Sequence, residues 1–189
     1  MRRAAVAAAA ALALVLGVWQ TGHGAYIKAK AVVAQILLAE AWDRALAGET
    51  APKPWAWADT WPVARLEVPR LHAGAIVLHS ASGQALAFGP GHMSETALPG
   101  EPGLSVIAAH RDTHFRFLKD IEPGDDIRVT TADGVTHVFE VTGTRIVRAD
   151  ASGLDANGPG HRLALVTCYP FDALAVGGPL RFVVLAEEI

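Results

Sequence analysis

The stretch Leu163–Pro170 reads LALVTCYP and holds Cys168, the only cysteine among the 189 residues of the chain. Its first four residues are apolar, and a proline follows two residues after the cysteine. Apolar runs of this length are typical of buried β-strands, and proline ends a strand because it has no amide hydrogen to donate. The stretch therefore predicts a strand that ends at the thiol and holds it rigidly.

Further short apolar runs, separated by turn residues, lie on both sides of this strand. Residues 126–147, DIRVTTADGVTHVFEVTGTRIV, read as a strand, an Asp-Gly turn and a second strand, which is a strong hairpin signal. The other runs are VARLEVPRL (63–71), AIVLH (75–79), ALAFGPG (85–91), LSVIAAH (104–110) and LRFVVLAE (180–187). THFRFLKDI (113–121) is the one helical turn expected among them. Seven or eight short strands predict an all-β domain over residues 63–189, either a closed barrel or a sandwich.

Length and composition narrow the class of protein further. A chain of 189 residues has room for one domain of ordinary size. The net charge is −3, and no basic run suggests binding to nucleic acid. A single cysteine excludes an internal disulfide and gives no support to a thiolate zinc site.

The N-terminus predicts a membrane anchor over residues 1–24. Arg2 and Arg3 precede an uncharged run from Ala4 to Gln20, which approaches the roughly 20 residues needed to cross a bilayer. The two arginines should stay in the cytoplasm, so the rest of the chain should face outward. A cleaved signal peptide is the alternative, since small residues follow from Gly22. Either interpretation places the main domain outside the cytoplasm.

Residues 25–62 should connect this anchor to the β domain. AYIKAKAVVAQILLAEAWDRAL (25–46) carries apolar residues at helical spacing and predicts an amphipathic helix with Ile27, Ile36, Leu37 and Trp42 on one face. Gly48 ends the helix, and GETAPKPWAWADTWP (48–62) follows with three prolines and three tryptophans. Because proline-rich backbone does not continue a helix, this second part predicts a linker.

Three functional groups stand at the predicted ends of three strands. Cys168 ends LALVTC, His110 ends LSVIAAH, and Arg181 opens LRFVVLAE. A reactive cysteine needs its thiolate form, which a neighbouring histidine or cation stabilises. A barrel can bring these strand ends together, so Cys168 is predicted to be a nucleophile with His110 and Arg181 beside it.

With these residues in place, the chain resembles the sortases, which are cysteine transpeptidases built on an eight-stranded β-barrel. Their pattern has a histidine after one strand, a TLxTC strand and an arginine on the next strand. Here the cysteine strand reads ALVTC, so Ala164 stands where the first threonine is usual. HRDTHFRFL (110–118) is similar to the histidine region of many sortases. The N-terminal segment, PWAWADT (54–60) and the residues after Cys168 look most like the class GN, or marine proteobacterial, subgroup.

The resemblance implies a role for each of these residues. Cys168 attacks the carbonyl of a Thr-Gly-type bond in a C-terminal, LPxTG-like sorting signal, and the thioacyl enzyme is resolved by an amine acceptor. His110 serves as general acid and base. Arg181 donates to the oxyanion. Thr167 helps to position the substrate or is simply a strand residue. The subgroup also implies a single-pass protein of the inner membrane with its catalytic domain in the periplasm.

Other interpretations of the same residues stay open. The protein could be a cysteine hydrolase that releases its substrate to water, or a membrane-tethered β domain that binds a partner without catalysis. His110 and His114 stand four residues apart, a spacing that can bind a metal on a helix, but no further ligand is indicated. We therefore predict that no metal and no other cofactor is required.

Overall fold

The computed structural model describes residues 2–173 and 177–189. The chain forms two compact units, Met1–Ile36 and Leu37–Ile189. The first consists of the N-terminal part of a long helix, α1, which spans Arg2–Leu46. The second contains the end of that helix and all of the β-strands.

Apolar side chains are exposed along the first unit. Their exposed fractions run from 54 to 71% at Val6, Leu12, Leu14, Val15, Leu16, Val18 and Trp19. Among the described residues, no helix combines the length and the apolar character that crossing a membrane requires. The anchor was predicted over residues 1–24, of which residue 1 lies outside the described residues.

The predicted amphipathic helix exists, but its predicted apolar face is buried only in part. Ile27 and Ile36 are more than half exposed, at 54 and 53%. Within the second unit, Trp42 is 3% exposed and Leu38 is 1% exposed, and Leu38 packs with Leu78 and Ala85. The helix thus buries one face of its last three turns, where residues 73–79 and their neighbours offer an apolar surface.

Eight strands form one closed barrel in the order β1-β2-β3-β4-β7-β8-β6-β5. The strands are β1 Pro62–Val68, β2 Ala73–His79, β3 Gly91–His92, β4 Gly103–Ala108, β5 Asp126–Thr131, β6 Thr136–Arg148, β7 His161–Tyr169 and β8 Leu180–Glu188. The closed eight-stranded barrel confirms the predicted fold class, and β5 and β6 form the predicted Asp-Gly hairpin. Two 3₁₀ helices, Pro69–Leu71 and Arg116–Asp120, occupy loops, the second within the predicted helical turn.

The barrel core follows from the alternation of side chains along the strands. Leu163 and Leu165 of β7 point inward and pack with Val184 of β8. Phe115 and Leu118, from the segment between β4 and β5, are completely buried in the same core. This segment therefore fills one end of the barrel, and its position is set by two large apolar side chains.

One predicted strand is wrong. Residues 85–91, ALAFGPG, contain the end of a short helix, α2 (Gly83–Leu86), and only the first residue of β3. Ser82 caps this helix, because its Oγ accepts a hydrogen bond from the amide of Ala85 at 3.3 Å. Ala85 is completely buried. The cap at Ser82 and the burial of Ala85 thus outweigh the apolar composition that favoured a strand.

The loops at one end of the barrel are tied together by Arg70. The strand directions bring the ends of β1, β4, β6 and β7 and the starts of β2, β5 and β8 to this end, hereafter the Cys168 end. Arg70 Nη2 donates to Asp125 Oδ2 at 2.6 Å and to the carbonyl oxygen of Asp120 at 2.7 Å. The guanidinium of Arg70 holds the pKa of the Asp125 carboxyl below its usual range. The Asp125 side chain is 5% exposed, whereas that of Arg70 is 46% exposed, so only the carboxylate side of the pair is buried.

Asp125→Asn should lower the free energy of unfolding by about 1–2 kcal/mol at pH 7, because a hydrogen-bonded buried carboxylate is lost. Folding lowers the pKa of Asp125, so the unfolded chain binds this proton at a higher pH than the folded chain does. The stabilisation is therefore complete above the ordinary carboxyl pKa of about 4 and is lost as the pH falls through the folded value. Urea denaturation of both proteins at pH 7 and pH 3 measures the effect, with Asp126→Asn as the neighbouring control. An equal difference at both pH values would contradict the assignment.

Candidate active site

Cys168 and Arg181 lie directly opposite each other on neighbouring strands. β7 and β8 pair antiparallel, and their register matches the Cα atom of Cys168 with that of Arg181. Cys168 is a free, half-buried thiol at the second-last position of β7. The sequence predicted that these residues meet across strands, and the register brings them together.

His110 lies beside Cys168 on the other side. β4 and β7 run parallel, and Ala108 is matched with Val166. The pairing continues past the end of β4, since the amide of Ala109 donates to the carbonyl of Val166 at 3.1 Å. The same register continued by two residues places His110 next to Cys168. His110, Cys168 and Arg181 thus form one row across three adjacent strands, hereafter the site row.

The site row lies on the outer face of the barrel. Side chains alternate between the two faces of a strand, and Leu163 and Leu165 belong to the inner core. Ala164 and Val166 lie four and two residues before Cys168 and therefore point to the same face of β7. They belong to a separate apolar cluster outside the barrel. Cys168 therefore points to the outer face, where a substrate can approach it.

Arg181 keeps donors available toward this face. Its Nη1 atom donates to the carbonyl oxygens of Gly178 at 2.8 Å and Leu180 at 2.9 Å. Within residues 2–173 and 177–189, no partner engages its Nη2 or Nε atom. The main-chain bonds hold the guanidinium in place, and its remaining N–H groups can meet a developing negative charge.

Thr167, for which the sequence left a substrate-positioning role and a plain strand role open, faces the barrel interior. Its side chain is on the inner side of the barrel, its exposed fraction is 2%, and its Oγ1 donates to the carbonyl oxygen of Ala109 at 2.7 Å. This bond joins the residue before the cysteine to the residue before the histidine. Such a placement favours a role in positioning the site row over direct contact with a substrate on the outer face.

Two segments that the sequence did not single out flank the outer face. Residues 149–160 reach across to β4, where the amide of Leu104 donates to the carbonyl of Ala156 at 3.0 Å, and Leu154 packs on the outer apolar cluster. Residues 93–102 contact the same edge of β4, where the amide of Val106 donates to Thr96 Oγ1 at 3.1 Å. Neither loop carries a local pattern that reveals this contact, because both partners are distant in sequence.

Arg111 connects the histidine segment to the loop after the cysteine strand. Its side chain is among the buried charged groups, with the residue 8% exposed, and Nη2 donates to the carbonyl oxygen of Ala173 at 2.8 Å. This hydrogen bond holds the loop that follows β7 close to the histidine segment. The fold and the site row together describe a closed β-barrel with a thiol, an imidazole and a guanidinium at one end.

Comparison with known proteins identifies the family. The family model described as a sortase domain matches residues 66–189. The chain therefore belongs to the sortase family, whose members are cysteine transpeptidases. This confirms the family that the sequence motifs predicted, although not the subgroup.

Individual relatives agree with this assignment. Sortase D of Bacillus subtilis (strain 168) is 30% identical over 125 residues, which make up 66% of this chain and 62% of that protein. This chain thus matches less than two thirds of that relative's length. Sortase A from Corynebacterium diphtheriae is 29% identical, with a TM-score of 0.63 over 70% of this chain and 63% of that chain. Sortase E1 from Streptomyces coelicolor, solved with a tripeptide in the active site, is 27% identical, with a TM-score of 0.59 over 68% and 88% of the two chains.

Thr167→Val should destabilise the domain by about 1–2 kcal/mol, because the buried carbonyl of Ala109 loses its hydrogen-bond donor while the side-chain shape is nearly kept. Thr167→Ser retains the hydroxyl and should recover most of this loss. Chemical denaturation of the two variants and the parent protein measures the difference. Equal stability of the valine and serine variants would show that the bond contributes little.

Proposed function

We propose that this protein cleaves a C-terminal, LPxTG-like sorting signal through a thioacyl intermediate on Cys168 and transfers the new carboxyl end of its substrate protein to an amine. The observation that carries the proposal is the site row, in which Cys168 is matched with Arg181 on β8 and the β4–β7 register, continued two residues past Ala108 and Val166, puts His110 next to Cys168. Family membership supports the same chemistry.

The row supplies the groups for two successive acyl transfers. The sulfur of Cys168 attacks the carbonyl carbon of the scissile bond. The thiol proton passes to the imidazole of His110, which delivers it to the departing amine as the C–N bond breaks. The Nη2 or Nε donors of Arg181 stabilise the negative oxygen of the tetrahedral intermediate. An incoming amine then attacks the thioester, gives up a proton to His110 and forms an amide, and the thiol is restored.

The outer face beside the row suits an extended apolar peptide. Val166 and Ala108 are half-buried. Val166 lies two residues before Cys168, and Ala108 lies two residues before His110. Leu154 and Val166 both pack on the outer apolar cluster. Apolar surface of this kind, with a few polar groups at one end, is typical of peptide-binding sites.

Cys168→Ala should abolish turnover of a peptide that contains a Leu-Pro-X-Thr-Gly signal, since no thioester can form. Arg181→Gln should lower kcat by about 10²–10³, which is the loss measured when one oxyanion donor is removed. Arg128→Gln is the matched control, because Arg128 is an exposed arginine on β5 away from the row. Chromatography of the cleaved peptide measures all three rates.

The product of the same assay separates transfer from hydrolysis. With an added amine such as glycylglycinamide, a transpeptidase forms the amide product, whereas a cysteine hydrolase releases only the free acid. Persistent cleavage by the Cys168→Ala variant would refute the nucleophile. Failure of the parent protein to cleave would instead favour a binding domain without catalysis.

We further propose that the N-terminal segment tethers the protein to the inner membrane with the barrel in the periplasm, as in the class GN subgroup. Arg2 and Arg3 before an uncharged run support this orientation. The exposed apolar side chains of the first unit support the tether itself. The full chain should therefore sediment with membranes and resist alkaline carbonate extraction, whereas residues 37–189 should not. Release of the full chain by carbonate would contradict an integral anchor.

A further inference from the structure

A cavity of about 600 Å³ lies at the Cys168 end of the barrel, outside the site row. It opens between the β1–β2 connection and the segment that follows His110. Its lining includes His72, Thr113, His114, Arg116, Phe117 and Lys119. We call this space the His114 cavity. No step of the proposed mechanism so far uses it.

The cavity is connected to the site row through the turn after His110. The amide of Phe115 donates to the carbonyl oxygen of His110 at 3.1 Å, which closes a tight turn around His114. Burial, and secondly the charge of His110, lower the pKa of His114.

Cationic side chains dominate the lining. Arg116 is exposed, and within the described ranges its side chain has no hydrogen-bond or ion-pair partner. Lys119 Nζ and Asp120 Oδ2 lie 3.9 Å apart, with exposed fractions of 47 and 60%, so the carboxylate of the lining offsets one of its two cations and leaves one positive charge in excess. Because the chain as a whole carries a net charge of −3, this local excess of positive charge runs against its average.

We propose that the His114 cavity binds the amine acceptor, and that it selects acceptors that carry an anionic group, a carboxylate or a phosphate, near the amine. The inference rests on the proposed transpeptidation. Arg116 and Lys119 hold the anion by charge-assisted hydrogen bonds, while the amine lies toward His110. The amine nitrogen then attacks the thioester carbon, the C–S bond breaks, and the amine proton passes to His110.

The test compares acceptors that differ in one charge. With the parent protein, glycylglycine should have a KM at least about fivefold below that of glycylglycinamide, as expected for a hydrogen bond to a charged group. O-phosphoethanolamine against ethanolamine gives the corresponding phosphate comparison. In the double variant Arg116→Gln, Lys119→Gln both preferences should fall toward one, with cleavage of the donor peptide unchanged. Arg128→Gln should keep them.

Two outcomes would overturn the proposal: no preference in the parent protein, or a preference that survives in the double variant. A preference for one anion only, carboxylate or phosphate, assigns the acceptor to that class. Binding to the Cys168→Ala protein, followed by the amide NMR signals of residues 113–119, is independent of turnover. If glycylglycine shifts these signals and glycylglycinamide does not, the cavity binds the anionic group. If transfer fails although this binding is seen, the proposed transpeptidation is refuted and the cavity assignment stands. Absence of such shifts refutes the cavity itself.

Discussion

The hydrogen-bond register of β4, β7 and β8 is the constraint on which the site depends. It matches Cys168 with Arg181, and continued past β4 it places His110 beside the thiol. Because side chains alternate strictly along a strand, a slip of β7 by one residue would turn Cys168 toward the core and bring Thr167 outward. Burial of Leu163 and Leu165 opposes such a slip, so the same apolar contacts that close the barrel also orient the thiol.

The loops at the Cys168 end need their own connections, since strand pairing stops before them. Thr167 holds the backbone at Ala109, Arg111 reaches the carbonyl of Ala173, and Arg70 joins Asp125 to the carbonyl of Asp120. Each is a bond from a side chain to a residue distant in sequence, and Thr167, Arg111 and Asp125 are buried. Side-chain to main-chain bonds of this kind restrict a loop without requiring regular secondary structure. They keep the histidine segment near the cysteine.

What the sequence predicted correctly depends on local pattern. The β5–β6 hairpin follows from the alternation around Asp133 and Gly134, and the strand that ends at Cys168 follows from its apolar run. The misassigned segment at residues 85–91 depends on contacts that local pattern does not contain, because the helix there is stabilised by packing of Ala85 against Leu38 and Leu78. The inward placement of Thr167 and the His114 cavity likewise required the closed barrel.

The position of His110 explains how one imidazole can serve two amines. The apolar outer face of β4 and β7 lies on one side of it, and the His114 cavity lies on the other, beyond the turn that Phe115 closes. In the proposed arrangement, His110 serves the departing amine on the peptide side and the entering amine on the cavity side. Since the peptide side is apolar and the cavity side is cationic, the two substrates are recognised by different physical interactions. Changes to Arg116 should alter the choice of acceptor without altering the choice of sorting signal.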